Sequence, residues 1–176
     1  MNLWNEKLEY SLGQQQDFDI EILKKHIPSC KSVEKTDLET DKSGVDYVAT
    51  LSSGAKVFID AKTREAGASR YWKHGEAELA LERWSVIDKK IGWTLSTETN
   101  VDYILYTFDK SEWDKYYFLP FQLLRKAFIE YGRKWLDEYN DGRQKIQYSD
   151  GWRSAAIFVP ASVVVNAIRD IMTGAA

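Results

Sequence analysis

Cysteine is nearly missing from this chain, with Cys30 the only thiol among 176 residues. No intrachain disulfide can form, a multi-cysteine metal site is excluded, and a reducing, cytoplasmic setting is expected. Histidine is as scarce: with His26 and His74 alone, His-rich zinc chemistry and a His-based metal finger are ruled out. No Gly-x-Ser-x-Gly elbow and no Walker phosphate loop occurs, which removes Ser/His/Asp hydrolases and P-loop enzymes. Proline appears three times, and no Pro-rich or Gly/Ser-rich stretch, repeat or low-complexity tract divides the chain. One domain over residues 1–176 is the simplest organisation. The longest apolar stretch, Ala155 to Ile168, is broken by Pro160, Ser162 and Asn166, so no membrane span is expected. The amino terminus, with Glu6 and Glu9, has no basic segment leading into an apolar run, and no secretory signal is predicted.

What the chain has is apolar and aromatic mass, 44% and 14% of its residues, enough for a sizeable core. Its spacing predicts an amphipathic helix over Asp17 to Ile27, with Phe18, Ile22, Leu23 and Ile27 on one face and Pro28 ending it. Lys31 to Thr36 reads as a short strand. His74 to Ile91 reads as a second helix, because Ala77, Ala80, Leu81, Trp84, Ile87 and Ile91 fall on a helical stripe before Gly92. Val101 to Phe108 and Lys115 to Leu119 read as strands. Pro120 is expected to open a helix to about Tyr139 striped by Phe121, Leu124, Phe128, Tyr131 and Trp135. Strands at Gln144 to Tyr148 and Ser154 to Pro160 follow, then a helix to Met172 capped by Ser162.

The richest segment runs from Gly44-Val45-Asp46 to Asp60-Ala61-Lys62. Side chains of a strand alternate between faces. Val45, Tyr47, Ala49 and Leu51 therefore share a core face with Val57, Ile59 and Ala61, while Asp46, Val48 and Thr50 share the other with Lys56, Phe58, Asp60 and Lys62. A three-residue loop, Ser52-Ser53-Gly54, pairs Leu51 with Ala55 and sets Asp46 opposite Asp60. A two-residue loop would mix the faces. Opposed carboxylates repel unless something neutralises them, and a divalent cation is the natural candidate.

At Asp46 and Asp60-Ala61-Lys62 the chain resembles the PD-(D/E)XK nuclease superfamily, with Val45 in place of the proline and Asp60 where Glu is commoner. The order helix, three strands, helix, strand over about residues 17–108 matches that family's shared αβββαβ core. The resemblance implies an α/β, restriction endonuclease-like fold with a mixed central sheet flanked by helices, extended by strands and helices over about 109–176. It also implies a Mg²⁺-dependent deoxyribonuclease, with Mn²⁺ as the substitute ion. Asp46, Asp60 and the Ala61 carbonyl would hold the metal, and Lys62 would orient a water or contact the scissile phosphate. Some members add an acid from the first helix, for which Glu21 or Asp17 is the candidate, with a solvated surface charge as the competing role.

The net charge is -3, yet Lys62, Arg64, Arg70 and Lys73 stand against Glu65 alone between Lys62 and His74. Arg64, Arg70 and Lys73, interleaved with Tyr71 and Trp72, are the candidate DNA contacts, and a solvated loop is the plainer alternative. Glu78 and Glu82 stay outside the site. Gln144 and Tyr148 match the spacing of a helical family motif but sit in an expected strand. A homodimer would permit paired cuts. The alternative function is a catalytically silent nuclease-fold module that binds DNA or protein in phage–host defence.

Overall fold

The computed structural model describes residues 3–36, 44–64, 67–109, 115–149 and 151–174. They form an α/β protein whose contacts divide into two compact units. The first takes in residues 1–68 and 100–118, the second residues 69–99 and 119–176.

In the first unit, helix α1 (Leu3–His26) precedes strands β1 (Cys30–Lys35), β2 (Tyr47–Leu51) and β3 (Lys56–Arg64). Lys24, Lys25 and His26 in the last turn of α1 complement its carbonyl end. Strand β6 (Tyr103–Phe108) and most of β7 (Tyr116–Pro120) complete a sheet of order β1-β2-β3-β6-β7. β1, β2 and β3 pair antiparallel, whereas β3 and β6 run parallel, so the sheet is mixed. The expected core face of the hairpin is buried: Tyr47, Ala49 and Ile59 cluster with Ile22 and Leu23 of α1, with Ile27 just past it, and with Leu105.

Parallel neighbours cannot be joined by a tight turn. Residues 74–91, expected to be the helix of that crossover, instead contain strands β4 (Glu78–Val86) and β5 (Lys90–Ile91), so the helical assignment is corrected. The cause is a bulge. β4 pairs antiparallel with β9 (Trp152–Pro160), matching Leu79 to Val159 and Leu81 to Ile157, but its register shifts between Glu82 and Trp84. The extra residue returns Trp84 to the face of Leu79 and Leu81. Spacings of two and then three imitate a helical stripe, and the Ala, Leu and Glu content of the segment adds local preference for a helix that cross-strand pairing overrides.

The second unit thus holds a four-stranded antiparallel sheet of order β5-β4-β9-β8, with β8 spanning Lys145–Ser149. Helix α2 (Phe121–Tyr139) and helix α3 (Ala161–Thr173) pack on each other and on β9. Phe121, Leu124, Phe128 and Trp135 of the expected α2 stripe are buried. Pro160, not Ser162, occupies the cap position of α3; the Ser162 N–H and hydroxyl instead donate to Glu76, at 3.1 and 2.7 Å. Asn140 is buried behind α2 and bonds both the N–H and the carbonyl of Phe158, each at 2.9 Å.

Candidate functional site

The β2–β3 hairpin sets the site. Gly54 adopts φ 84°, a left-handed conformation that favours glycine, and its N–H donates to the Leu51 carbonyl at 2.9 Å. The Leu51 N–H donates to Ala55 at 2.9 Å, and Tyr47 pairs with Ile59, Val48 with Phe58 and Ala49 with Val57. This is the register that the three-residue loop predicts.

At the open end of the hairpin the ladder departs from regularity. The Asp46 N–H donates to the Ile59 carbonyl at 2.9 Å, so Asp46 and Tyr47 share one partner residue. The Asp46 side chain then reaches along β3, and its Oδ2 accepts the Ala61 N–H at 2.6 Å. Asp60 lies in hydrogen-bonding contact with Asp46, and its Oδ1 accepts from Lys62 Nζ at 2.6 Å. The expected carboxylates and amine therefore do meet.

Asp60 is only 4% exposed, unlike a solvated edge charge. Burial pushes its carboxyl up to about 7; the Lys62 ammonium opposes that rise and the Asp46 carboxylate adds to it. Lys62 keeps 32% of its side chain open to solvent.

A third acid, absent from the sequence candidates, lies behind this pair. Asp19 of α1 is 2% exposed, and its carboxylate accepts from the Tyr47 hydroxyl at 2.9 Å and from Gln15 Nε2 at 2.8 Å. Gln15 also donates to the Thr107 hydroxyl at 3.2 Å, which lies 2.9 Å from that of Thr63. Burial raises the Asp19 pKa above the usual carboxylate range; its two hydrogen bonds oppose the rise, and the negative charge of Asp46 adds to it. The same surroundings push the Tyr47 phenol up, burial first and Asp19 next. The signal in the sequence was spacing: Asp19 precedes Ile22 and Leu23 by three and four residues, on the apolar stripe. Asp17 and Glu21, the acids weighed for this role, are exposed.

The remaining candidates are divided between the two units. Arg64 closes β3 in the first unit. Arg70 and Lys73 belong to the second unit: Arg70 is exposed with its guanidinium 5.4 Å from the Tyr71 ring centre, and Lys73 Nζ lies 3.7 Å from Asp141. Glu65 lies outside the described residues. Glu78 and Glu82 are on β4; Glu78 is buried and accepts the Lys73 N–H at 2.9 Å. His74 meets the Tyr139 ring edge-on at 5.3 Å.

In donor chemistry the pair offers the oxygen ligands that a hard divalent cation takes: two carboxylates converge at a position where Asp60 is buried and is already paired with the Lys62 ammonium. Among the described residues no group of three His, Cys, Asp or Glu is arranged to hold a metal, so an ion there would keep several waters. No protein-family model, no curated protein and no solved structure matches this chain, and its own geometry carries the functional reading.

Proposed function

We propose that this chain is a divalent-metal-dependent nuclease that hydrolyses DNA phosphodiester bonds, with Asp46, Asp60 and Lys62 at its reactive centre. The observation that carries the reading is the buried Asp60 carboxyl held between the Asp46 carboxylate and the Lys62 ammonium. Asp46, Asp60 and the Ala61 carbonyl are the groups that would hold Mg²⁺ or Mn²⁺. The chemistry such an ion supplies when bound is a lowered pKa for a coordinated water and neutralisation of phosphate oxygens.

The protein's own part is positioning and charge. Asp46 is pinned by the Ala61 N–H, which fixes its carboxylate relative to β3. Lys62, anchored on Asp60 and partly open to solvent, presents a fixed positive charge to a phosphate oxygen as negative charge develops there. The Asp19–Tyr47 hydrogen bond ties α1 to the residue beside Asp46 and limits movement of the pair.

The silent-module reading has one observation in its favour: an oxygen of each acid is already satisfied from within the chain, by the Ala61 N–H and by Lys62. One experiment separates the two. Single-stranded, duplex, nicked and branched DNA are incubated with Mg²⁺, Mn²⁺ or EDTA and with wild type or Lys62→Ala. Cutting that needs metal and falls by about 10²-fold or more in the variant is expected. Cutting that survives EDTA or the substitution would remove the site assignment, and binding without cutting would favour the silent module.

A further inference from the structure

Strand β8 ends one side of the second unit's sheet, and among the described residues its outer edge pairs with no strand. On β9, Ala155, Ile157 and Val159 share one face and are buried. β8 continues that face with Ile146, opposite Ala155, and Tyr148, opposite Arg153. There the cover ends: Ile146 is 46% exposed and Tyr148 72%, and Lys145 and Gln147 on the other face are exposed as well. The core face of this sheet thus runs out past its cover, with an isoleucine and a tyrosine at its margin.

The backbone of the edge is open too, and the register tells which groups point outward. The N–H of Ile87, just past β4, donates to the Arg153 carbonyl at 2.8 Å. In an antiparallel ladder the N–H and C=O of one residue point to the same neighbour, so Arg153 bonds toward β4 and makes a non-hydrogen-bonded pair with Tyr148. The β8–β9 register is regular, and alternation gives Ile146 the same disposition. The N–H and C=O of Ile146 and Tyr148 therefore face away from β9. Such an edge is a template for another strand. The other sheet edges are guarded: β5 is two residues long, β7 ends in Pro120, and β1 carries Lys31, Glu34 and Lys35. β8 has no proline and no bulge against β9, and Lys145 is its one charge.

We infer that the β8 edge is a dimerisation surface, paired antiparallel with the same edge of a second copy of this chain. Self-complementarity selects the occupant. Because the outward groups belong to Ile146 and Tyr148, a two-fold centred on Gln147 sets each Ile146 against the partner's Tyr148 and hydrogen-bonds both pairs. Aromatic and β-branched residues are favourable cross-strand neighbours. Lys145 then lies opposite the partner's Ser149. A centre at Lys145 would oppose two ammonium groups, and a centre at Ile146 or Tyr148 would set one of them against its own copy and the other against a polar residue. The two-fold is closed, so pairing stops at two copies. A contact along one strand edge is small, under ~1,200 Å², so the dimer should depend on concentration. The inference goes beyond the nuclease reading and does not rest on it.

The test is sedimentation velocity of the full chain in EDTA, without DNA, across a wide range of concentration. Wild type should pass from monomer to dimer, and Lys62→Ala should do the same. Ile146→Lys and Tyr148→Glu should each weaken the dimer by about tenfold, the scale of two cross-strand pairs lost. Both positions are exposed, and circular dichroism and the urea midpoint check that the variants fold. Mixing the two variants should restore a dimer, because in the Gln147-centred register the new lysine faces the new glutamate while the second pair stays native. In a Cys30→Ser background, Gln147→Cys lies on the two-fold in a non-hydrogen-bonded pair with Cα atoms ~4.5 Å apart, within disulfide reach. Mild oxidation should link it into a covalent dimer, whereas Lys145→Cys, offset from its own copy, should stay unlinked. A dimer indifferent to both Ile146→Lys and Tyr148→Glu overturns the inference. So does a wild type that is monomeric throughout while Gln147→Cys stays unlinked, and that result would leave the edge to a strand of another protein.

Discussion

Asp60 is a carboxyl whose ionised form the fold disfavours, because burial and the Asp46 carboxylate outweigh the Lys62 ammonium. Its folded pKa of about 7 exceeds the unfolded 3.8, so the native state holds the extra proton between those values. Its stabilising contribution is therefore full below pH 3.8 and lost as pH rises through about 7. Asp60→Asn cannot titrate, and urea unfolding in EDTA should show it escaping a loss on the order of 4 kcal/mol that wild type suffers across that window. Identical pH profiles for the two proteins would mean that folding leaves the Asp60 pKa unshifted. The meeting of Asp46, Asp60 and Lys62 was legible in the sequence because alternation and a glycine-ended loop leave one register that keeps both faces consistent. Asp19 was not legible. An acid on a helix reads as solvated unless its partners are known, and Tyr47 lies on a strand beyond the helix, with its hydroxyl directed at a face judged purely apolar.

Strand β4 shows the same limit one level up. Leu79, Leu81 and Trp84 share a face only because a bulge intervenes, and a bulge has no local signature distinct from a helical spacing of three. One residue did mark it. Gly92 has φ -72°, open to any residue, yet a Cβ there would meet the Glu82 carbonyl oxygen at 2.3 Å and the Arg83 carbonyl carbon at 2.8 Å. Its N–H donates to the Arg83 carbonyl at 2.8 Å, so β5 leaves the sheet pressed against the bulge itself. Gly92→Ala should cost about 1–3 kcal/mol or more through backbone displacement, read as a lower urea midpoint at unchanged m. Gly54→Ala is strained for another reason, its φ of 84°, because nothing lies within 4 Å of a Cβ there. A Gly92→Ala protein as stable as wild type would show that the bulge yields freely.

Across the whole chain, the two compact units are held by pairings between residues distant in sequence. The polypeptide passes between units at 68/69, 99/100 and 118/119, at none of which composition shifts or a linker appears. Each unit is consequently built from separate stretches, and no cut in the chain releases both intact. A fragment ending at Phe118 retains β4 but lacks β9. Hydrogen exchange on that fragment should find the β4 amides unprotected, and protection there would show that the strand does not depend on β9. Leu79 and its partner Val159 lie 80 residues apart. On a ribosome adding ~5–20 residues per second, β4 emerges ~4–16 s before the strand it must join. During that interval the edge of β4 that β9 will cover is an unpaired strand edge open to any passing strand.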